Sequence, residues 1–240
     1  MKESLNDEFQ ERARATAQRR YDRQAAIYDL TELPLELLVF KGLRRRLWGQ
    51  IKGQSVLEIG VGTGKNLPYH PRDARVVAVD LSPRMLQRAV ARATRLGRPP
   101  DFVLADAQHL PFQDGAFDET ASTFVFCSVP DPLAGLKEAR RVVRDDGHLN
   151  LLEHVRAPNK LLGWLMDRLN PIAVRLTGAN INRDMVTNVE AADIEVSAVE
   201  SRGLGIVSLI RGSIPGARPL VLEEDFEGAA DARHIVEIGR

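Results

Sequence analysis

The segment Ser55-Val56-Leu57-Glu58-Ile59 runs straight into Gly60-Val61-Gly62-Thr63-Gly64-Lys65-Asn66, an apolar stretch followed by three glycines spaced two apart. Such a run predicts a buried parallel strand that breaks into a ligand-cradling loop. Glycine is required where the backbone turns at positive φ or must approach a ligand with no Cβ between them. The helix start expected next offers unpaired N–H groups to a ligand. A nucleotide-like cofactor is the expected occupant.

The spacing narrows the choice. Gly60-x-Gly62-x-Gly64, with Glu58 two residues ahead, is neither the Gly-x-Gly-x-x-Gly of dinucleotide folds nor a phosphate loop ending in Gly-Lys-Ser/Thr. Val76 to Asp80 is a second apolar run closed by a carboxylate, placed where an acid can take both ribose hydroxyls. Phe102 to Ala107 is a third run, with Asp106 near its end. Further runs span Phe117–Phe126 and His148–Leu152, and Ser82-Pro83 supplies a cap and a first-turn proline for a helix over Met85–Leu96. Alternation of this kind predicts a parallel sheet covered on both faces. Lys160 to Leu176 reads as an inserted apolar helix. Ile194–Val199 and Ile206–Ile210, joined through Gly203 and Gly205, read as a closing hairpin.

At Glu58 to Gly64, Asp80, Asp106-Ala107 and Leu110-Pro111-Phe112-x-Asp114-x-x-Phe117-Asp118, the chain resembles the class I S-adenosylmethionine-dependent methyltransferases over roughly residues 20–212. The resemblance implies an α/β, doubly wound Rossmann-like sheet, mostly parallel with a C-terminal antiparallel hairpin, plus N-terminal helices. It divides the chain into a helical lid or membrane-contact segment (1–52), the cofactor-binding domain (53–213) and an extension (214–240) of unassigned role. The implied cofactor is S-adenosylmethionine, leaving as S-adenosylhomocysteine. Glu58, Gly60, Val61, Gly62, Gly64 and Asn66 are implied around its methionine part, Asp80 on the ribose, and Asp106 with the Ala107 amide on the adenine. Leu81 and Met85 are implied on its rings, with Tyr28 and Thr123 completing the site.

Composition bounds the partners. Lys and Arg (33) balance Asp and Glu (33), so the electrostatic footprint of a nucleic-acid binder is missing. Cys127 is the only cysteine, which rules out an intramolecular disulfide, fits a reducing cytosol and reads as a small core hydrophobe. The five histidines lack ligand spacing, and no metal is expected. No apolar signal core or membrane-span length occurs, so any membrane contact is expected to be peripheral, at the inner face from the cytoplasm.

Residues 1–52 carry helical patterning in two pieces divided near Leu33-Pro34, both rich in arginine. Leu5 and Phe9 stand among many charges in the first, which is either a mobile arm or a surface-binding lid. In the second, Leu35, Leu38, Val39, Leu43 and Leu47 recur at helical spacing beside Phe40, Trp48, Lys41, Arg44, Arg45 and Arg46. That helix either packs on the core with solvated arginines or lies on an anionic membrane surface. The tail bears Glu223, Glu224, Asp225 and Glu227, then a run from His234 to Ile238; it reads as a packed extension, a subunit contact or disorder.

Tyr21-Asp22-x-x-Ala25-x-x-Tyr28-Asp29 resembles methyltransferases with membrane-soluble acceptors. Gly62 to Tyr69, Leu152-Glu153-His154-Val155 and Asn182-Arg183-Asp184 are most similar to the soluble bacterial phosphatidylethanolamine N-methyltransferases, relatives of the ubiquinone and menaquinone C-methyltransferases. The resemblance implies a phospholipid amine as acceptor. Tyr21, Tyr28 and His154 are the expected catalytic residues, with Glu153 and Arg183 on the substrate. Glu153 and His154 are candidate proton acceptors, and Arg44, Arg45, Arg46 and Arg183 candidate phosphate partners. C-methylation of a quinone precursor, another small lipophilic acceptor, or non-catalytic cofactor binding at a lipid surface are the alternatives.

Overall fold

A computed structural model describes residues 2–31 and 36–216. The break near Leu33-Pro34, the side chains of Leu5, Phe9, Leu35 and Leu38, and the acidic and His234–Ile238 stretches of the tail lie outside the described residues.

Among the described residues, seven strands form one sheet: β1 (Ser55–Ile59), β2 (Arg75–Asp80), β3 (Asp101–Leu104), β4 (Phe117–Thr123), β5 (Val143–His154), β6 (Glu195–Arg202) and β7 (Val207–Ser213). Their order is β3-β2-β1-β4-β5-β7-β6. The first five are parallel neighbours, and β7 enters antiparallel between β5 and β6. The doubly wound sheet with a closing hairpin expected from the sequence is therefore present. Order reverses at β1, between β2 and β4, which puts the topological switch point at the end of the glycine-bearing strand.

Among the described residues are the α-helices α1 (Lys2–Thr31), α2 (Lys41–Gly49), α3 (Pro83–Leu96), α4 (Pro132–Val142), α5 (Lys160–Thr177) and α6 (Met185–Glu190), with short helical turns at Glu36–Phe40 and Leu67–Tyr69. The Ser82 hydroxyl caps α3 by accepting from the Met85 amide at 3.1 Å, and Pro83 takes the first turn. Met85, Ala89 and Ala93, four apart, face the sheet, and the two alanines let the helix approach closely. Gly97 ends it at φ +69°.

The fourth run is shorter than expected. β4 stops at Thr123 because Phe124 takes φ +57°, a conformation an L-residue holds only when its surroundings compel it.

Residues 40–51 belong to the core of the sheet. Phe40, Leu43, Leu47, Trp48 and Ile51 are buried together with Val56, Val76, Leu152 and Leu209. The apolar side of this helix is thus packed on the sheet. Two of its arginines are engaged as well: buried Arg44 reaches both oxygens of Glu36 at 3.1 Å and Asn66 at 2.9 Å, and Arg46 pairs with Glu200 at 2.8 Å. A desolvated guanidinium must be paired, so the apolar core around α2 selects the Glu36 contact.

Candidate functional site

A cleft with about 730 Å³ of empty space, partly open to solvent, lies beyond the carboxyl ends of β1, β2 and β4. Nine residues expected at the cofactor meet in its wall: Tyr28, Gly60, Gly62, Asp80, Leu81, Met85, Asp106, Ala107 and Thr123. Tyr21 joins them.

The glycine loop is held from behind. Gly60 and Val61 donate to the Val79 carbonyl, both at 2.9 Å. Gly60 has φ +72°, and a Cβ there would stand 2.3 Å from Val125 Cγ2, so its glycine is a packing requirement. Gly62 has φ +56°, and a Cβ there would meet no protein atom within 4 Å. That free space faces the cleft and is the room a bound cofactor needs.

Asp80 ends β2 with Oδ2 accepting from the Gly62 amide at 2.8 Å and Oδ1 from the Ser82 amide at 2.9 Å. Each oxygen keeps further lone-pair capacity for a vicinal diol. Burial pushes its pKa up to about 6, against the two amide bonds that favour the carboxylate. An acid held at this energetic disadvantage is suited to a ligand that brings hydroxyl donors. Apolar Leu81 and Met85, the diol acceptor Asp80 and the acid Asp106 fit the adenosine of S-adenosylmethionine.

Four expected contacts fall behind the wall. Glu58 is fully buried, with Oε1 accepting from Asn66 at 2.7 Å and Oε2 beside His70 Nε2 at 2.9 Å. Asn66 also reaches Thr123 Oγ1 at 3.1 Å and accepts from Arg44. Gly64, at φ +81°, is packed against Leu67, and Val61 is buried in the small cluster with Ala89. These residues shape the loop and do not line the cleft.

The two residues expected at the substrate, Glu153 and Arg183, meet backbone groups of the loop after β4. Glu153 has no exposed surface, and its carboxylate accepts from the amides of Val125, Phe126 and Cys127 at 2.9, 3.0 and 3.2 Å. It anchors the loop after β4, although burial raises its pKa. Arg183 donates to the Phe126 and Val129 carbonyls of the same loop, and desolvation lowers its pKa. Both side chains are spent on backbone groups that strand pairing cannot satisfy.

His154 stands outside the cleft wall, its ring 4.5 Å from that of Phe124 and 6.2 Å from that of Phe40. Its Nδ1 is buried without a hydrogen-bond partner, and burial lowers its pKa to about 4. An imidazole this weakly basic does not hold a proton at neutral pH. Cys127 is a buried free thiol whose pKa burial raises, as expected of a core residue.

Helix α1 closes the cleft. Asp22 accepts from Ser82 Oγ at 2.6 Å, and Asp29 accepts from Thr63 Oγ1 and Arg92, both at 2.6 Å. Arg14 pairs with Asp106 at 3.1 Å. The Tyr21 phenol is buried against Ser128, and burial raises its pKa. Lys65 lies 5.2 Å over the Tyr28 ring. Ser128, one of the residues that the sequence places just after the fourth run, also lines the cleft, and so does Phe124, which the sequence reads as part of that run and the structure puts beyond the end of β4.

Residues 57–151 match a family model described as a methyltransferase domain. A demethylmenaquinone methyltransferase of Clavibacter sepedonicus is 30% identical over 221 residues, covering 82% of this chain and 90% of that protein. A phosphatidylethanolamine N-methyltransferase of Cereibacter sphaeroides is 35% identical over 115 residues, covering 46% of this chain and 57% of the relative. The human thiol S-methyltransferase TMT1B is 36% identical over 126 residues, covering 48% and 51%. The chain thus spans little more than half the length of these last two relatives. In fold, it resembles a methyltransferase of Thermotoga maritima described as a possible histamine N-methyltransferase, with TM-score 0.64 and 22% identity over 82% of this chain and 99% of that one.

Proposed function

The chain belongs to the class I S-adenosylmethionine-dependent methyltransferases, and on that premise we propose that its acceptor is the head-group amine of phosphatidylethanolamine or a partly methylated relative, met at the cytoplasmic face of a membrane. The observation carrying this reading is the pair Tyr21 and Tyr28, two turns apart on α1, lining the same cleft as the glycine loop and Asp80. Aromatic faces suit an alkylated ammonium. The phosphatidylethanolamine relative supports the choice.

S-adenosylmethionine, when bound, supplies a methyl group on sulfonium sulfur for in-line attack. The chain's part is alignment and exclusion of water. Asp80 takes the ribose hydroxyls, and α1, latched through Asp22 and Asp29, shuts the cleft. An amine must be neutral to attack. The desolvation that keeps the Tyr21 phenol protonated also favours a neutral amine, so the cleft lowers the acceptor's pKa without a charged base. With Lys65 over one face of Tyr28, an ammonium would use the other.

A second reading, methylation of a quinone precursor at carbon, is favoured by the breadth of the menaquinone relative's match. Incubation of the purified chain with labelled S-adenosylmethionine and, separately, phosphatidylethanolamine vesicles, a demethylmenaquinone and an alkyl thiol separates the readings. Label in mono-, di- or trimethylated lipid is expected. Label only in the quinone or the thiol overturns the amine assignment.

A further inference from the structure

Helix α5 turns most of its large apolar side chains to solvent. Leu161 is 74% exposed, Leu176 70%, Ile172 56% and Trp164 51%, with Leu165 and Leu169 also exposed. At 100° per residue these six fall on one side, while Gly163 and Met166, the helix's buried residues, fall on the other. A continuous stripe of this size marks an interaction surface, unlike the single exposed leucines that any protein carries.

Its charge selects the partner. Arg168 and Arg175 lie within the angular range of the stripe, and Lys160 opens the helix. The one acid of α5, Asp167, is neutralised by Arg156 at 2.9 Å and accepts from Asn182 at 3.0 Å. Arg168 stacks 5.1 Å from the centre of the Trp164 ring. At the far end, Gln24 of α1 donates to the Leu176 carbonyl at 3.3 Å, and Ile27, one turn on, is exposed beside exposed Arg23. A second copy of the chain packed face to face on this stripe would set arginine against arginine. A surface carrying phosphates would neutralise them.

We propose that this face of α5 docks the protein on an anionic lipid bilayer, the helix lying in the head-group plane. Trp164 and the leucines enter the acyl boundary, and Lys160, Arg168 and Arg175 meet lipid phosphates. The second N-terminal helix, for which a membrane surface was one of two readings, does not offer its apolar side, since Phe40, Leu43, Leu47 and Trp48 are buried. The docking proposal stands whichever acceptor is methylated.

The chain has two tryptophans, and Trp48 is 2% exposed in the core, so a lipid-induced change in emission reports Trp164. The full chain is mixed with vesicles of phosphatidylcholine alone or with phosphatidylglycerol added. Co-flotation with the mixed vesicles only, a blue shift, and quenching by brominated acyl chains are expected. Arg168→Gln and Arg175→Gln should each lower the partition coefficient about fivefold. Leu165→Glu combined with Ile172→Glu should abolish flotation while leaving S-adenosylhomocysteine affinity intact, since neither residue lines the cleft. No flotation on either vesicle, no quenching by brominated chains, or undiminished flotation of the double variant overturns the proposal. So does a lipid-free, concentration-dependent blue shift accompanied by dimer in sedimentation. Quenching uses the unaltered chain and decides the matter even where a variant fails to fold.

Discussion

Arg14 Nε lies 3.1 Å from Asp106 Oδ2, tying the N-terminal helix to the acid that the family resemblance implies at the adenine. Asp106 is 5% exposed and already accepts from the Gln108 amide at 2.9 Å, whereas the Arg14 side chain is half exposed. An adenine held by Asp106, as the resemblance implies, would have to compete with this ion pair for a nearly buried carboxylate. The pair gives α1 a reason to lie across the cleft before cofactor arrives.

Removing that competitor should help binding. Arg14→Gln is expected to raise the affinity for S-adenosylhomocysteine up to about fivefold, the scale of a half-exposed pair. Calorimetry that finds a large loss instead would make Arg14 part of the adenine site.

Cofactor affinity should depend on pH through Asp80. Its pKa in the free protein is raised to about 6, so the carboxylate is ionised at pH 8 and mostly protonated at pH 5. Only the ionised form offers both oxygens to the hydroxyls. Affinity should be flat above pH 7 and fall below pH 6 by up to about tenfold per unit. Asp80→Asn should weaken binding at pH 8 and remove this limb; a variant that keeps the limb would assign it to another group.

Two glycines of the loop should fail differently. Gly60→Ala drives a Cβ to 2.3 Å from Val125 and is expected to lower stability first, seen as an earlier urea midpoint. Gly62→Ala meets no protein atom, so its folding cost should be that of the left-handed backbone alone, about 1–2 kcal/mol. Its cofactor affinity should fall far more than its stability. Equal losses in both variants would contradict this division.

His154 should behave as a packing group. With a pKa of about 4 it is neutral throughout the working range, so the pH profile of turnover should show no limb between 6 and 7 from this residue. His154→Phe should keep most activity by preserving the contacts with Phe40 and Phe124, and His154→Ala should lose stability, about 2–4 kcal/mol, through the cavity it leaves. Rescue of His154→Ala at alkaline pH would restore it as the proton acceptor.

Tyr28 tests the aromatic contribution. Tyr28→Phe should retain much of the turnover because the ring face survives, and Tyr28→Ala should lose far more. Similar losses in both would point to the hydroxyl.

The sequence by itself determined the sheet, its glycine loop and the acids at its strand ends, because these are local signals: strand period, turn chemistry, caps at Ser82 and the acid after each run. Nine of the expected cofactor residues reach the cleft for that reason. What only the tertiary structure decided is which polar and apolar side chains are free to meet a ligand. Glu153 and Arg183 carry motif-like signals yet are consumed by the backbone of the loop after β4, and Glu58 and Asn66 by each other. The second N-terminal helix reads as amphipathic and basic and α5 as an inserted apolar helix, yet Leu47 and Trp48 of the first meet the sheet while Leu161 and Trp164 of the second meet water. Periodicity marks a helix as having an apolar face; only the packing of distant strands and loops determines whether that face is covered.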